Sequence, residues 1–332
     1  MQIHDKRHWF VTASALLFAL LFLGSTAVAG KMNFKKTTYT FKKVGDLEIR
    51  ADVYRADDTV IRPVVMAIHG GALIGGDRNW AGGRAKKILL EAGYAIVSID
   101  YRLAPETLLP ELIKDVEDGY HWIRTQGPEL FQVDTSRMVV MGGSAGGYLT
   151  LMLGFRVEPR PAALVSFWGY GDLIGSWYSQ PSDFYRREPL VSKEEALAVV
   201  GGPPVVDGNK GPKSRGPFYL YCRQNGLWPK MVSGFDPHNE KEKFLPYEPV
   251  RNVTPDYVPT LLIHGTIDTD VPYEQSVLMA QQFERHGVAH KFVTVEGSGH
   301  GLKNGDPELV SNAYGQVLPF IKRYTSGVER AK

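Results

Sequence analysis

The sequence has almost no cysteine: Cys222 is the only one among 332 residues. An internal disulfide is therefore excluded, and the fold has to rest on the burial of apolar side chains. Cys222 lies in FYLYCRQNG, which has no glycine-rich turn on either side. This context indicates a small buried hydrophobe and argues against a thiol nucleophile.

The sequence also lacks an excess of charge of either sign. It has 38 Lys and Arg against 36 Asp and Glu, a formal net charge of +2. The charges are interspersed, so no nucleic-acid or polyanion partner is indicated. No internal repeat is visible, and neither GxGxxG nor GxxxxGK[ST] is present, so nucleotide binding is not expected.

A long apolar run occurs only near the start of the sequence. Lys6 and Arg7 precede a run from Trp9 to Leu23, and Ala27-Val28-Ala29 follows it. This order predicts a signal peptide over residues 1–29, cleaved after Ala29, and hence a secreted or periplasmic protein without a stable membrane span. An uncleaved anchor is the alternative, but the run is short for a span of about 20 residues.

The rest of the chain, residues 30–332, predicts an α/β fold. TTYTFKKV and DLEIRADVYR alternate apolar and polar residues around Gly45-Asp46 and predict an antiparallel hairpin. Near-continuous apolar strands separated by amphipathic helices predict a mostly parallel central sheet with helices on both faces. The six runs that predict these strands are PVVMAIHG, YAIVSIDYR, RMVVMGG, AALVSFWG, PTLLIHG and HKFVTVEG.

Helices are expected near 79–92, 110–127, 144–156, 273–287 and 307–325 from three- and four-residue apolar spacing. Pro110 suits the first turn of the second of these, and Gly127 suits its end. The stretch from about 171 to 256 breaks the alternation and is rich in Pro, Gly and aromatic residues. A connection this long predicts a cap-like insertion: either a cap over a binding site or an excursion whose rings pack together.

The segment GGSAG, residues 142–146, matches G-x-S-x-G where a predicted strand meets a predicted helix. Such a turn would expose the Ser144 hydroxyl at the carboxyl end of a strand, beside a helix N-terminus that favours developing negative charge. A serine that merely caps a helix is the alternative.

A serine hydroxyl needs a base, and the base needs an orienting group. Asp268 follows a predicted strand in HGTIDTDVP, and His300 follows the last strand in GSGHGL. Both loops leave the same edge of the sheet as Ser144, so His300 is the predicted base and Asp268 the predicted acid. Asp270 is the nearest alternative acid. Three other histidines have local contexts that predict structural roles: His121, His264 and His290.

Acyl transfer also needs hydrogen-bond donors for an oxyanion. His69-Gly70-Gly71 follows a strand upstream of the serine, and glycine N–H groups approach a substrate oxygen without interference from a Cβ. The predicted donors are the backbone N–H groups of Gly70, Gly71 and Ala145.

These segments together resemble the α/β-hydrolase superfamily, and specifically the esterase and lipase group related to hormone-sensitive lipase. The chain order Ser, Asp, His is that of α/β-hydrolases. The segments that carry the resemblance are HGG at 69–71, DYRLAPE at 100–106, GGSAGG at 142–147, HGTIDTDVP at 264–272 and GSGHGL at 297–302.

The resemblance implies the triad and donors named above, no metal or organic cofactor, and a bracing role for the DYRLAPE segment, so Asp100 and Glu106 are not expected to be catalytic. Ala72 stands where the family's HGGG has its third glycine, which leaves the donor pair open. The insertion before the acid loop looks more like exported acetyl-xylan or feruloyl esterases.

The function expected from the sequence is that of a secreted serine carboxylic-ester hydrolase acting on short-chain or carbohydrate-linked esters. A serine peptidase of the prolyl-oligopeptidase type is the first alternative, but no propeller-sized domain precedes the predicted hydrolase domain. A non-catalytic binding protein with the same fold is the second. The complete Ser, Asp, His and donor set argues against that reading.

Overall fold

The computed structural model describes residues 33–209 and 214–326. The predicted signal peptide, residues 1–29, lies outside them. The strands, in chain order, are β1 Phe34–Val44, β2 Leu47–Ala56, β3 Arg62–Ile68, β4 Ala95–Ile99, β5 Val133–Gly143, β6 Ala163–Phe167, β7 Thr260–Gly265 and β8 His290–Val295.

These strands form one sheet in the order β1-β2-β4-β3-β5-β6-β7-β8. β1 and β2 pair as the predicted antiparallel hairpin, and β2 lies antiparallel to β4. All pairs from β4 to β8 are parallel. The predicted mostly parallel sheet is therefore confirmed. β5 is an inner strand of it, and the carboxyl ends of the parallel strands lie together along one edge of the sheet.

Helices cover both faces of this sheet. Adjacent residues of one strand point to opposite faces, so Val140 joins the core beneath α2, α3 and α8, whereas Val139 joins the core beneath α1, α9 and α10. The helices are α1 Ala85–Glu91, α2 Leu109–Phe131, α3 Ala145–Arg156, α4 Ser176–Ser179, α5 Lys193–Leu197, α6 Gly216–Asn225, α7 Trp228–Ser233, α8 Glu274–Arg285, α9 Pro307–Gly315 and α10 Val317–Thr325. None of the helices in the described ranges is both long and apolar enough to cross a membrane.

Helix α2 does not end at Gly127, as its sequence suggested, but continues through Pro128 to Phe131. The left-handed residue that ends it is Gln132, with φ of 46°. Gly127 serves packing instead, because a Cβ there would lie 3.0 Å from the Phe131 ring and from Val133.

The insertion of residues 171–256 contains α4 to α7 and several short 3₁₀ turns. Four of its large rings belong to the core: Tyr178, Phe218, Trp228 and Phe244 are at most 1% exposed. The Trp228 indole N–H donates to the carbonyl oxygen of Ala72 at 2.9 Å. These four rings thus anchor the insertion to the body of the protein, as the alternative of an excursion whose rings pack together predicted.

Candidate active site

Ser144 occupies the single residue between the end of β5 and the start of α3. Its backbone has φ of 58° and ψ of −123°. A non-glycine residue in such a conformation costs about 1–3 kcal/mol and persists only where its surroundings enforce it. This backbone conformation places the Ser144 side chain at the edge of the sheet, as expected of a nucleophile turn.

Gly142 and Gly146 make this turn possible by close backbone packing. A Cβ on Gly146 would overlap the carbonyl oxygen of Ile68 and lie 2.7 Å from that of His69, and a Cβ on Gly142 would overlap the carbonyl oxygen of Gly146. All three contacts are with backbone atoms, which cannot rotate away. Only glycine therefore fits at these two positions.

Asp268 and His300 are brought together by the loops that follow β7 and β8. His300 Nδ1 lies 2.8 Å from Asp268 Oδ2. The other oxygen, Oδ1, accepts the backbone N–H groups of Asp270 and Val271, each at 2.9 Å. Burial by itself raises the pKa of Asp268, but hydrogen bonds from His264 and His300 outweigh it and hold that pKa well below its usual range. The carboxylate is therefore charged and aimed at His300.

His264 lies behind Asp268, outside the cavity. It is fully buried, its Nδ1 is 2.7 Å from Ser276 Oγ, and its Nε2 is 3.0 Å from the carbonyl oxygen of Val271 and 3.3 Å from Asp268 Oδ2. Sequence reasoning treated His264 as structural and did not anticipate its contact with the acid. The spacing of four residues between His264 and Asp268 was the available signal.

The His300 ring has a second carboxylate on its other side: its Nε2 lies 3.3 Å from Asp270 Oδ2. Burial lowers the pKa of His300, but the hydrogen bond with Asp268 and the charges of Asp270 and Asp268 outweigh burial, so the pKa is raised. The Trp168 ring meets the imidazole edge-on, with centroids 6.3 Å apart.

Ser144 and His300 line the same cavity, which has a volume of about 290 Å³. No hydrogen bond joins them in the described structure, and catalytic bonds of this kind often tighten only when substrate is bound. The insertion adds Arg215 and Tyr219 to the wall of this cavity.

A larger cleft of about 1250 Å³ lies beside the amino ends of the strands, but no histidine is among the described residues that line it.

The loop of residues 69–76, called here the HGG loop, passes beside Ser144. Gly71 and Ala72 line the cavity, whereas Gly70 packs against the turn, since a Cβ on it would lie 3.2 Å from Ser144 Cβ. Gly71 has φ of 105° and Ala72 has φ of 54°. The alanine at the third position therefore takes a left-handed conformation that glycine would adopt without strain. Ala145 begins α3, so its N–H lacks an acceptor within the helix.

The DYRLAPE segment supports this loop from behind. Tyr101 stacks on His69, with ring centroids 4.3 Å apart, and donates its hydroxyl to the His69 carbonyl oxygen at 3.1 Å. The Ala104 N–H donates to the carbonyl oxygen of Leu73 at 2.8 Å. Asp100 is fully buried and binds the backbone N–H and the guanidinium of Arg78. Glu106 is ion-paired with Arg215 of the insertion.

A cluster from the insertion, which sequence reasoning missed, holds Asp270. Arg223 Nη1 lies 2.9 Å from Asp270 Oδ1, and the hydroxyls of Tyr185 (2.7 Å) and Tyr219 donate to the same oxygen. Arg223 is only 2% exposed. No local pattern marks these residues, because they lie between 47 and 85 positions away from Asp270 in the chain.

The fold, the glycine-flanked serine turn and the His–Asp pair define an α/β-hydrolase. Residues 51–283, more than two thirds of the chain, match the family model described as BD-FAE. The chain therefore belongs to the BD-FAE family, whose members are α/β-hydrolases of the esterase and lipase type, and the predicted superfamily and fold class are confirmed.

Known proteins with similar sequence or structure agree with this fold. An esterase from Pyrobaculum calidifontis is 23% identical with a TM-score of 0.63, over 88% of this chain and 85% of that one. A truncated carbohydrate esterase from gut microbiota is 19% identical with a TM-score of 0.58, over 87% and 96%. The non-reducing polyketide synthase Preu3 of Preussia isomera is 28% identical over 87% of this chain. The chain spans only 13% of that synthase's length.

Proposed function

We propose that this protein is a secreted serine esterase in which Ser144 is the nucleophile, His300 the general base and Asp268 the acid that orients it. The observation that carries the proposal is the 2.8 Å contact between His300 Nδ1 and Asp268 Oδ2. The His300 imidazole lines the same cavity as Ser144, which lies in a strained turn. A helix-capping serine would need neither the strain nor the histidine.

In the proposed mechanism Ser144 Oγ attacks the ester carbonyl carbon while its proton passes to His300 Nε2. The carbonyl oxygen becomes an oxyanion that accepts hydrogen bonds from the Ala145 N–H and from the HGG loop, where Gly71 and Ala72 line the cavity. His300 then returns the proton to the alcohol oxygen as the C–O bond breaks. Water repeats the sequence on the acyl-enzyme and releases the acid.

We propose a packing role for Gly70 in this mechanism, whereas the sequence predicted it as an oxyanion donor. Its packing against Gly143 and Ser144 keeps the HGG loop close to the nucleophile. The backbone amides of Gly71 and Ala72 make no backbone hydrogen bond within the described residues, and that leaves them available as donors. We propose Gly71 and Ala145 as the principal pair, with Ala72 beside them.

The substrate we propose is an ester of a short acyl group on a polar alcohol such as a carbohydrate. Ligand cavities span about 300–1,000 Å³, so a cavity of about 290 Å³ is at the small end and favours an acetyl-sized over a feruloyl-sized acid. Arg215, Tyr219 and Asp270 give its wall hydrogen-bonding groups for hydroxyls. The likeness to a carbohydrate esterase supports the same substrate class.

Ser144→Ala tests the nucleophile, with Ser136→Ala as the matched control at the opposite end of β5. We expect Ser144→Ala to lower kcat on p-nitrophenyl acetate by at least about 10⁴-fold, because the remaining groups only bind and polarise the ester. The control is expected to match the wild type. Equal turnover by Ser144→Ala and wild type would refute the assignment, and cleavage of a peptide p-nitroanilide without ester cleavage would favour the peptidase.

Secretion is a separate part of the proposal, supported by the charged, apolar and small-residue regions of residues 1–29. Expression of the full chain in a bacterial host, followed by N-terminal sequencing of the exported protein, tests it. A first residue of Gly30 is expected. An intact N-terminus in the membrane fraction would instead indicate an anchor.

A further inference from the structure

Asp270 places a second carboxylate against the imidazole of the proposed base. Its Oδ2 lies 3.3 Å from His300 Nε2, while Asp268 Oδ2 lies 2.8 Å from Nδ1. Nε2 is the nitrogen to which the Ser144 proton has to move. The mechanism above gives Asp270 no role, although the residue lines the catalytic cavity.

The two contacts together favour one protonation state of the His300 ring. A neutral imidazole carries one N–H and one lone pair, so one of its nitrogens would have to direct a lone pair at a carboxylate. A ring with both nitrogens protonated donates to Asp268 from Nδ1 and places its second proton, on Nε2, beside the charge of Asp270. The observed geometry therefore suits the imidazolium, the form that cannot accept a proton from Ser144.

The insertion fixes which oxygen of Asp270 faces the ring. Arg223, Tyr185 and Tyr219 all donate to Oδ1, and none of these bonds uses Oδ2. The Arg223 guanidinium is itself held over the rings of Tyr178 and Tyr185, at 4.8 and 4.7 Å from their centroids. The cluster thus holds Oδ1 and leaves Oδ2 directed at His300.

We propose that Asp270 is a positioning residue that holds His300 as an imidazolium through Nε2 in the free protein and stabilises the same cation when Ser144 transfers its proton. This inference rests on the proposed function, since it concerns the proposed base. Its first consequence opposes catalysis at low pH, because the base starts protonated. Its second favours catalysis at high pH, because the imidazolium that forms during acyl transfer gains a partner.

Other charged and titratable groups near the ring modify this balance without replacing Asp270. Asp268 binds the opposite nitrogen, Nδ1. Burial and the charge of Lys303, which lies on the same loop as His300, both lower the pKa of His300. Arg215 and Tyr219 face it from the insertion across the cavity. Among these groups only Asp270 contacts Nε2.

Asp270→Asn tests the proposal because it removes the charge and keeps the size. Measuring kcat/KM against pH reports the pKa of the free base. We expect the acid-limb midpoint to fall by about one pH unit and the high-pH plateau to fall about tenfold, so that the two profiles converge at low pH and separate about tenfold at high pH. Asp270→Glu, which restores the charge, is expected to keep a midpoint near that of the wild type.

An NMR titration of the His300 imidazole in Ser144→Ala, with and without Asp270→Asn, makes the test independent of turnover. A lower midpoint in the variant supports the proposal even if the wild type proves inactive on esters, an outcome that would overturn only the proposed function. An unchanged midpoint, or a loss of activity that is uniform with pH, would overturn the role of Asp270 and leave it as an anchor for Arg223.

Asp270→Asn also leaves Arg223 buried without its carboxylate, which can destabilise the fold. The double variant Asp270→Asn, Arg223→Met removes both charges and retains an apolar side chain among the rings. It is expected to show the same fall in the His300 midpoint. A midpoint equal to that of the wild type in a folded double variant would contradict the proposal.

Discussion

Replacing Asp268 with asparagine is the most direct test of how the site works. The substitution keeps the shape of the side chain, and an asparagine oxygen at the Oδ1 position still accepts the N–H groups of Asp270 and Val271. The loop is therefore expected to stay in place. What changes is the group 2.8 Å from His300 Nδ1, where an NH₂ donor would replace a charged acceptor.

The expected loss can be worked from this one contact. A hydrogen bond to a charged group contributes about 1.5–3 kcal/mol, and it disappears. The NH₂ group also selects the tautomer with its proton on Nε2, so the nitrogen that has to accept the Ser144 proton is already occupied. The two effects together predict a fall in kcat of about 10⁴-fold, equivalent to about 5.4 kcal/mol.

The assay is ester hydrolysis under saturating substrate, with thermal unfolding to confirm that the variant is folded. Asp306→Asn is the matched control, because asparagine caps a helix N-terminus as well as aspartate does and Asp306 caps α9 without lining the cavity. Retention of more than a tenth of wild-type kcat by Asp268→Asn would refute the assignment. A 10⁴-fold loss in Asp270→Asn instead would make Asp270 the acid.

Three further predictions concern pH, packing and the thiol. The pKa of His300 is raised above its ordinary value of 6.5, and its protonated ring cannot act as a base, so kcat/KM is expected to rise with pH through a midpoint above 6.5. Initial rates across the neutral range measure this midpoint. A midpoint below 6.5 would contradict the electrostatic argument. Gly146→Ala is expected to lower the free energy of unfolding by about 3 kcal/mol. Gly315→Ala is the control, because a Cβ there meets nothing within 4 Å, and it is expected to be neutral or slightly stabilising. Equal denaturation midpoints for the two variants would refute the packing argument. Burial raises the pKa of Cys222 to about 12, so a thiol reagent is expected to modify it only after unfolding, and modification of the native protein would show that it is accessible.

The fold could be predicted from the sequence because its signals are local. β-branched runs such as PVVMAIHG form strands wherever both faces are covered, and the Gly45-Asp46 turn sets the hairpin. Where a local rule failed, packing was the reason. The local pattern predicts a helix end at Gly127, but this glycine instead accommodates the ring of Phe131, a contact made within the fold.

The sequence by itself indicated which residues meet at the candidate site: a serine between glycines, and an aspartate and a histidine after later strands, in an order typical of α/β-hydrolases. Parallel strands align their carboxyl ends, so such residues converge on one edge whatever their separation in the chain. That general rule is the reason the sequence was sufficient for this part.

Only the tertiary structure decided what surrounds these residues. It placed Asp270 on the second nitrogen of His300, gave Asp270 its support from Arg223, and set the HGG loop so that Gly71 and Ala72, and not Gly70, line the cavity. These contacts join side chains far apart in the sequence, and their distances depend on how the insertion packs. The energy of interaction between charges, and with it a pKa, changes steeply over a few ångströms, so the pKa of the proposed base depends on packing that no local pattern encodes.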